Sequence, residues 1–242
     1  MENTHQRSRK QKTLFKGEIN MSSTISDNIS DIMIKRDTLK YIGVQMSGGA
    51  DSTLIAYLIA AHIVKYNLKT RLRRITFGFG NKSEILKKAE DIQYTITKLI
   101  GKDIWEDPYT AFYEHKNMHS IKDQLTYLFD NDLIDHVIHG VTKNPPIEEL
   151  PDHENTRMVE RDEPVLYDNE YWSAPFYNLT KDVILQEYFN LGIESLLFDT
   201  CSCDANISPK LIVPCGACWW CKERQWAFNK IGKLDGNSPS QQ

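Results

Sequence analysis

Six residues constrain this chain more than any others: Ser47-Gly48-Gly49-Ala50-Asp51-Ser52. The apolar run at 41–46 reads as a short buried strand. Residues 52–64 read as a helix that is apolar almost all round, and therefore buried. A strand that runs through a glycine pair directly into a helix belongs to an α/β sheet. Its turn lies at the carboxyl end of the strand, where open α/β sheets bind their ligands. Gly48 and Gly49 let the backbone turn tightly and approach a ligand closely. Free N–H groups at the helix start favour an anion, and Ser47 and Ser52 add hydroxyl donors. Asp51 would repel a bare phosphate. Its carboxylate makes sense if it shares a Mg²⁺ ion with the phosphates, as hard oxygen ligands do. No lysine follows the glycines, so the loop is not of the GxxxxGK[ST] type, and the GxGxxG dinucleotide spacing is absent as well.

The pattern around this loop alternates. Further strands are predicted at 72–79, 103–105 and 136–141, and helices at 84–100, 121–133, 180–191 and 222–231, with Gly101 and Gly192 as stops. Strand–helix–strand alternation implies a parallel sheet with helices on both faces. Residues 1–38, basic at Arg7, Arg9, Lys10, Lys12 and Lys16 and then polar, read as a flexible N-terminal tail. Residues 39–192 form the expected nucleotide-binding domain, 193–232 a small C-terminal lobe, and 233–242 a second flexible tail. Prolines at 145, 146, 151 and 164 break regular structure between 142 and 171. A long loop of this kind inside a domain points to function or disorder.

The C-terminal lobe is defined by its cysteines. Of five in the chain, Cys203, Cys215, Cys218 and Cys221 give the spacing C-x11-C-x2-C-x2-C. Four thiolates suit a tetrahedral Zn²⁺ in a closed structural site. CxxCxxC spacing also occurs in iron–sulfur proteins. Cys201 lies too near Cys203 for both to reach one ion and is read as a free thiol. Clustered rather than dispersed cysteines fit a reducing compartment. With no hydrophobic leader at the start and no apolar run near the ~20 residues that span a bilayer, the expected location is the cytoplasm. The net charge of −4 leaves no global basic field for nucleic acid. The sequence allows a homodimer.

The hexapeptide SGGADS after a first strand resembles the PP-loop of the ATP pyrophosphatase superfamily. That resemblance implies an adenine nucleotide alpha hydrolase-like fold, binding of the terminal phosphates of ATP, and cleavage between the α and β positions. Together with Leu179-Thr180-Lys181, Ser202-Cys203 and the run Cys215-Gly216-Ala217-Cys218-Trp219-Trp220-Cys221-Lys222-Glu223-Arg224, it is similar to the 7-cyano-7-deazaguanine synthase family over about residues 40–230. The family implies an ATP-dependent ligase. A deazapurine carboxylic acid is adenylylated and ammonia converts it to the nitrile, and a structural zinc sits on the four cysteines. Ser47, Asp51 and Lys181 would serve catalysis, and Ser47 through Ser52 would hold ATP and Mg²⁺. Two stretches depart from the family: Gly80-Asn81-Lys82-Ser83 after the second strand, and Gly140 to Pro146 after the fourth. The second departure bears on the substrate and on whether the product is an amide or a nitrile. Two other readings stay open: a PP-loop amidotransferase or thiolation enzyme on another substrate, tRNA included, and a zinc-bearing binding module without catalysis.

Other residues are weighed singly. Lys181 is either a solvated first-turn lysine or a charge on the leaving pyrophosphate. His136 and His139 flank the fourth strand as packed or solvent-facing histidines, and His115 and His119 as surface ones. Trp219 and Trp220 pack against the core or stack on a base. Arg224 contacts an anion or supports the metal loop.

Overall fold

The structure is a computed structural model that describes residues 23–34, 38–79, 83–113, 118–151, 163–165, 171–203 and 214–236. Its elements are α1 (Ser23–Ile34), β1 (Tyr41–Gln45), α2 (Ala50–Lys65), β2 (Arg71–Phe79), α3 (Ser83–Ile100), β3 (Tyr109–Tyr113), α4 (Met118–Asp130), β4 (His136–Ile138), β5 (Trp172–Ser173), α5 (Lys181–Asn190), α6 (Glu194–Phe198) and α7 (Trp219–Lys230). The five strands form one sheet in the order β3-β2-β1-β4-β5, and every pairing is parallel. Strand order reverses beside β1, so a crevice opens at its carboxyl end, where the glycine loop lies.

Strand alternation sends side chains to two different cores. Ile42, Val44 and Leu72 face the main one, which they share with buried residues of α1, α2, α3 and α5. Ile75 and Val137 face the second, smaller core with Leu128 of α4 and Ile134. Helices therefore cover both faces, as the alternation in the sequence implied. The core also continues into the C-terminal segment through Leu196, Leu197, Ala227 and Phe228. The cysteine-bearing lobe thus shares the domain's core rather than building its own. No helix among the described residues is long and apolar enough to cross a membrane.

Three expectations are corrected. Residues 23–34, assigned to a flexible tail, are helix α1. Ile25, Ile29, Ile32 and Met33 lie on one stripe and are at most 2% exposed, and the Asn28 amide donates to the Pro175 carbonyl at 3.0 Å. The i, i+4, i+7 apolar period was present but diluted by the serines and aspartates between. Residues 1–22 lie outside the described residues. Residues 233–236, assigned to the second tail, are docked as well. The Lys233 N–H donates to the Phe228 carbonyl at 3.1 Å, and Asp235 pairs with Arg224.

The third strand is the other displacement. Residues 103–105 make only an isolated bridge, Trp105 to Leu72. Past Pro108 the chain re-enters the sheet as β3, pairing Tyr109–Tyr113 with Ile75–Phe79. β3 is an edge strand whose burial alternates only between half-buried and exposed. Such a strand has no strong apolar period to read. The two-residue β5 is shorter than any window a periodicity could fill.

If α1 is an integral part of the core, Ile29→Ala should lower unfolding stability by about 2–5 kcal/mol, the usual cost of such a truncation in a packed interior. Urea denaturation measures it. A loss below about 0.5 kcal/mol would return the segment to the status of a tail.

Candidate functional site

The turn after β1 is closed on itself. Gly48 has φ +79°, the left-handed region that a side chain would strain. The Gly49 N–H donates to Ser47 Oγ at 3.4 Å, Ser52 Oγ donates to the Gly49 carbonyl at 3.3 Å, and the two serine hydroxyls lie 3.5 Å apart. These are long, weak bonds, which a stronger acceptor can replace. Gly49 caps α2 without any side-chain hydrogen bond. The N–H groups of Ala50, Asp51 and Ser52 have no acceptor within the helix, so the helix start presents donors and a positive dipole end together. Gly140, after β4, packs directly on this start: a Cβ there would lie 2.7 Å from the Ser52 nitrogen. Only glycine lets the β4 loop reach the α2 terminus so closely.

Lys181, the first residue of α5, comes to this loop from far along the chain. Its Nζ donates to Asp51 Oδ2 at 2.5 Å and lies 3.9 Å from Glu223 Oε2 on α7. Lys181 is 2% exposed and Glu223 is fully buried. Lysine is therefore not a solvated first-turn residue here. The other carboxylate oxygen, Asp51 Oδ1, is enclosed without a protein partner. A buried, unpaired carboxylate oxygen is costly and is the kind of atom a divalent cation takes up. Beneath the loop, the Tyr188 hydroxyl of α5 donates to the Ala50 carbonyl at 2.6 Å, and burial pushes its pKa well above the usual phenol value. Tyr188 thus acts as a neutral hydrogen-bond donor.

A cleft of about 260 Å³ opens beside the loop on the α4 side, lined among others by Gln45, Ser47, Asp51, Phe77, His139 and Val141. His139 is the group in it that sequence reasoning left unassigned. Its Nδ1 meets Gln45 Oε1 at 2.8 Å, and its ring stands edge-on to Trp172 with centroids 5.7 Å apart. Protein encloses most of the ring, and this desolvation pushes its pKa down to about 4. Near neutral pH the ring is uncharged. With Nδ1 donating to Gln45, Nε2 is left as an acceptor. His136 has no such role: it is buried, and its Nε2 meets Ser173 Oγ at 2.8 Å between β4 and β5.

The four cysteines converge as their spacing implied. The sulfurs of Cys203, Cys215, Cys218 and Cys221 all lie within 4.8 Å of one another, with Cys215–Cys221 and Cys203–Cys218 both at 3.9 Å. Backbone N–H groups of Cys218 and Ala217 point at the Cys215 sulfur at 3.2 and 3.4 Å, and they hold its pKa down to about 6. Burial instead pushes the Cys221 thiol up. A tetrahedral ion with metal–sulfur bonds of about 2.3 Å sets its sulfurs about 3.8 Å apart. The donor set therefore fits a single metal ion. Cys201 stays outside the set as a half-buried free thiol.

The cluster and the loop are physically joined. The Cys201 N–H donates to the Gly48 carbonyl at 2.8 Å, and Ser202 Oγ lies 3.7 Å from where a Cβ on Gly49 would be. Ser202 Oγ is itself enclosed without a partner. The stem of Lys88 on α3 lies against Gly48 from the other side. Arg224 supports the lobe rather than meeting an anion at the loop. It is 3% exposed, bonded to Asp235 at 2.6 and 3.0 Å, to Thr200 Oγ1 at 2.7 Å and to the Leu197 carbonyl at 3.2 Å. Trp219 and Trp220 are half-buried in the first turn of α7 and do not line the cleft. Glu149, from the proline-rich loop, accepts from Trp226 Nε1 and Lys230 Nζ and ties that loop to α7. Residues 80–82 of the first departing stretch and His115 lie outside the described residues, as does the His119 side chain.

Glu223, Ser202, Gln45, His139 and Gly140 were not singled out as site residues from sequence. The signal available was positional: Gly140 follows the fourth strand, and Ser202 and Glu223 flank metal-type cysteines.

No protein-family model matches this sequence, and no curated protein matches it. Among solved structures, the chain is similar to the U34-tRNA thiolase NcsA from Methanococcus maripaludis with its [4Fe-4S] cluster, at 14% identity and a TM-score of 0.43, over 90% of this chain and 75% of that one. It is also similar to the NAD⁺ synthetase from Burkholderia pseudomallei, at 12% identity and a TM-score of 0.36, over 88% and 84% of the two chains. At these values neither likeness carries an argument about what this chain acts on.

Proposed function

We propose that this chain is an ATP-dependent carbon–nitrogen ligase of the cytoplasm. It adenylylates a carboxylic acid, 7-carboxy-7-deazaguanine, and uses ammonia to form 7-cyano-7-deazaguanine, releasing AMP and pyrophosphate. The observation that carries the reading is the buried Lys181 ammonium placed 2.5 Å from Asp51 in a glycine-serine loop that opens α2. The ammonium rests on Asp51 of the same loop that carries two hydroxyls and the helix-start N–H groups, and that loop borders a cleft. That set is complementary to a polyphosphate and offers no protein nucleophile of its own.

The chemistry then falls to electrostatics. The loop N–H groups, Ser47, Ser52 and Lys181 hold the terminal phosphates and stabilise the charge that grows on pyrophosphate as it leaves. Asp51, through its unpartnered Oδ1, would hold Mg²⁺, which offsets phosphate charge when bound. The substrate carboxylate attacks the α-phosphorus, the bond from that phosphorus to the bridging oxygen breaks, and an acyl-adenylate forms. Ammonia attacks the acyl carbon, AMP departs with the carboxyl-derived oxygen, and an amide results. A second ATP adenylylates the amide oxygen. Loss of AMP with the remaining amide protons leaves the nitrile. His139, neutral and facing the cleft, accepts a hydrogen bond without adding charge.

Cys203, Cys215, Cys218 and Cys221 would hold Zn²⁺, whose part is structural: it fixes the segment that carries Ser202 to the loop. The 3.9 Å sulfur spacing supports one ion. In a four-iron cluster each thiolate binds a different iron, so the sulfurs stand further apart.

Incubated with ATP, Mg²⁺, ammonium and 7-carboxy-7-deazaguanine, the protein should release AMP and pyrophosphate and form the nitrile, separable by chromatography. ADP and phosphate as products would contradict the reading. Accumulation of the amide would stop the sequence at its first half, and an iron absorption band would favour thiolation.

Lys181→Ala and Asp51→Asn should each lower kcat/KM for ATP by about 10²–10³-fold, the usual loss when one transition-state charge stabiliser is removed. Each variant's metal content should stay at one ion per chain. Steady-state pyrophosphate release measures the effect, and a change under threefold in both variants would remove these residues from the phosphate site.

A further inference from the structure

A cation taken up at Asp51 Oδ1 would draw on the same carboxylate whose Oδ2 holds Lys181. The Lys181 ammonium lies 2.5 Å from Asp51 and 3.9 Å from Glu223. All three groups are buried or nearly so, with side-chain exposures of 3% for Lys181, 16% for Asp51 and 0% for Glu223. Two carboxylates thus face the one ammonium. The adjacent cation, Arg224, is committed to Asp235, Thr200 and the Leu197 carbonyl. When a cation draws on Asp51, the second protein carboxylate that steadies Lys181 beside the polyphosphate is Glu223. A buried ammonium whose partner is drawn away is costly, and it would leave its place.

Glu223 also belongs to the cysteine lobe. It sits two residues after Cys221 on α7, and Cys218 is the cap of that helix. Whatever fixes the cysteines therefore fixes Glu223. From the same lobe the Cys201 N–H holds the Gly48 carbonyl at 2.8 Å.

We infer that Glu223 is a positioning residue: it holds the Lys181 ammonium at the glycine-serine loop while Asp51 is engaged by a cation, and so couples the cysteine metal site to ATP affinity. The inference rests on the reading that the loop binds Mg-ATP. Because the coupling is a linkage between two sites, it works in both directions. Mg-ATP should slow loss of the cysteine-bound metal, just as the metal strengthens ATP binding.

The test is a double-mutant cycle in which binding of Mg²⁺ and α,β-methylene-ATP, which cannot be cleaved at the α–β bond, is measured by calorimetry. Four zinc-loaded proteins are compared: wild type, Glu223→Gln, Lys181→Met and the double variant. Melting temperature and zinc content are recorded for each. Glu223→Gln should weaken binding roughly tenfold, within the span seen for contacting charged groups, and should add nothing in the Lys181→Met background. Release of zinc to a chelator should be slowed by the nucleotide in wild type and unaffected by it in Glu223→Gln. Equal losses in both backgrounds, or no loss in either, would overturn the inference while leaving the ATP reading intact. If wild type does not bind the nucleotide, both fall. Should Glu223→Gln not fold, Glu223→Asp, which withdraws the charge by one methylene, takes its place in the cycle with the same deciding outcomes.

Discussion

Lys181 and Asp51 meet at 2.5 Å although 130 residues separate them in the chain. Most of the site depends on that meeting. It brings α5 against the start of α2, where Tyr188 also reaches the Ala50 carbonyl. It places a positive charge in an interior that would otherwise hold an unbalanced carboxylate. A pair buried this far is not a source of net stability by itself, because desolvating both ions offsets their attraction. What it sets is geometry. The buried lysine meets its carboxylates here, which fixes the helix that carries it against the loop.

The same geometry explains why the cysteine segment is not an independent appendage. Its helices contribute Leu196, Leu197, Ala227 and Phe228 to the central core. Cys201, just after α6, hydrogen-bonds to Gly48. Arg224, buried and bonded to Asp235, Thr200 and the Leu197 carbonyl, ties α7 to α6 and to the chain end. A metal held by four thiols would thus order a segment whose neighbours already belong to the glycine-serine loop.

The cleft beside the loop divides its work in a comparable way. Its charged lining residue, Asp51, lies at the loop end. Its far wall is apolar or neutral, with Ile75, Phe77 and an uncharged His139. A ligand with a highly charged end and a flat, weakly polar end matches that division. Gly140 keeps the two walls in contact, since any side chain there would strike the backbone of α2.

Which parts were legible beforehand follows from the range of the interactions involved. Ser47 to Ser52 could be read because strand, turn and helix are contiguous, and local backbone requirements dictate glycine and serine there. Cys203, Cys215, Cys218 and Cys221 could be read because a metal demands thiols at short spacings. The parallel sheet followed from alternating periods of two kinds. Helix α1 was hidden because its four buried apolar residues stand among serines and aspartates, and β3 because an edge strand has no strong burial period. Glu223, Ser202 and Gly140 carry only a positional signal, and His139 none that tells its role. They become site residues only when β4, α5 and α7 converge on one loop, and burial then sets which charges can exist there and what must stand beside them.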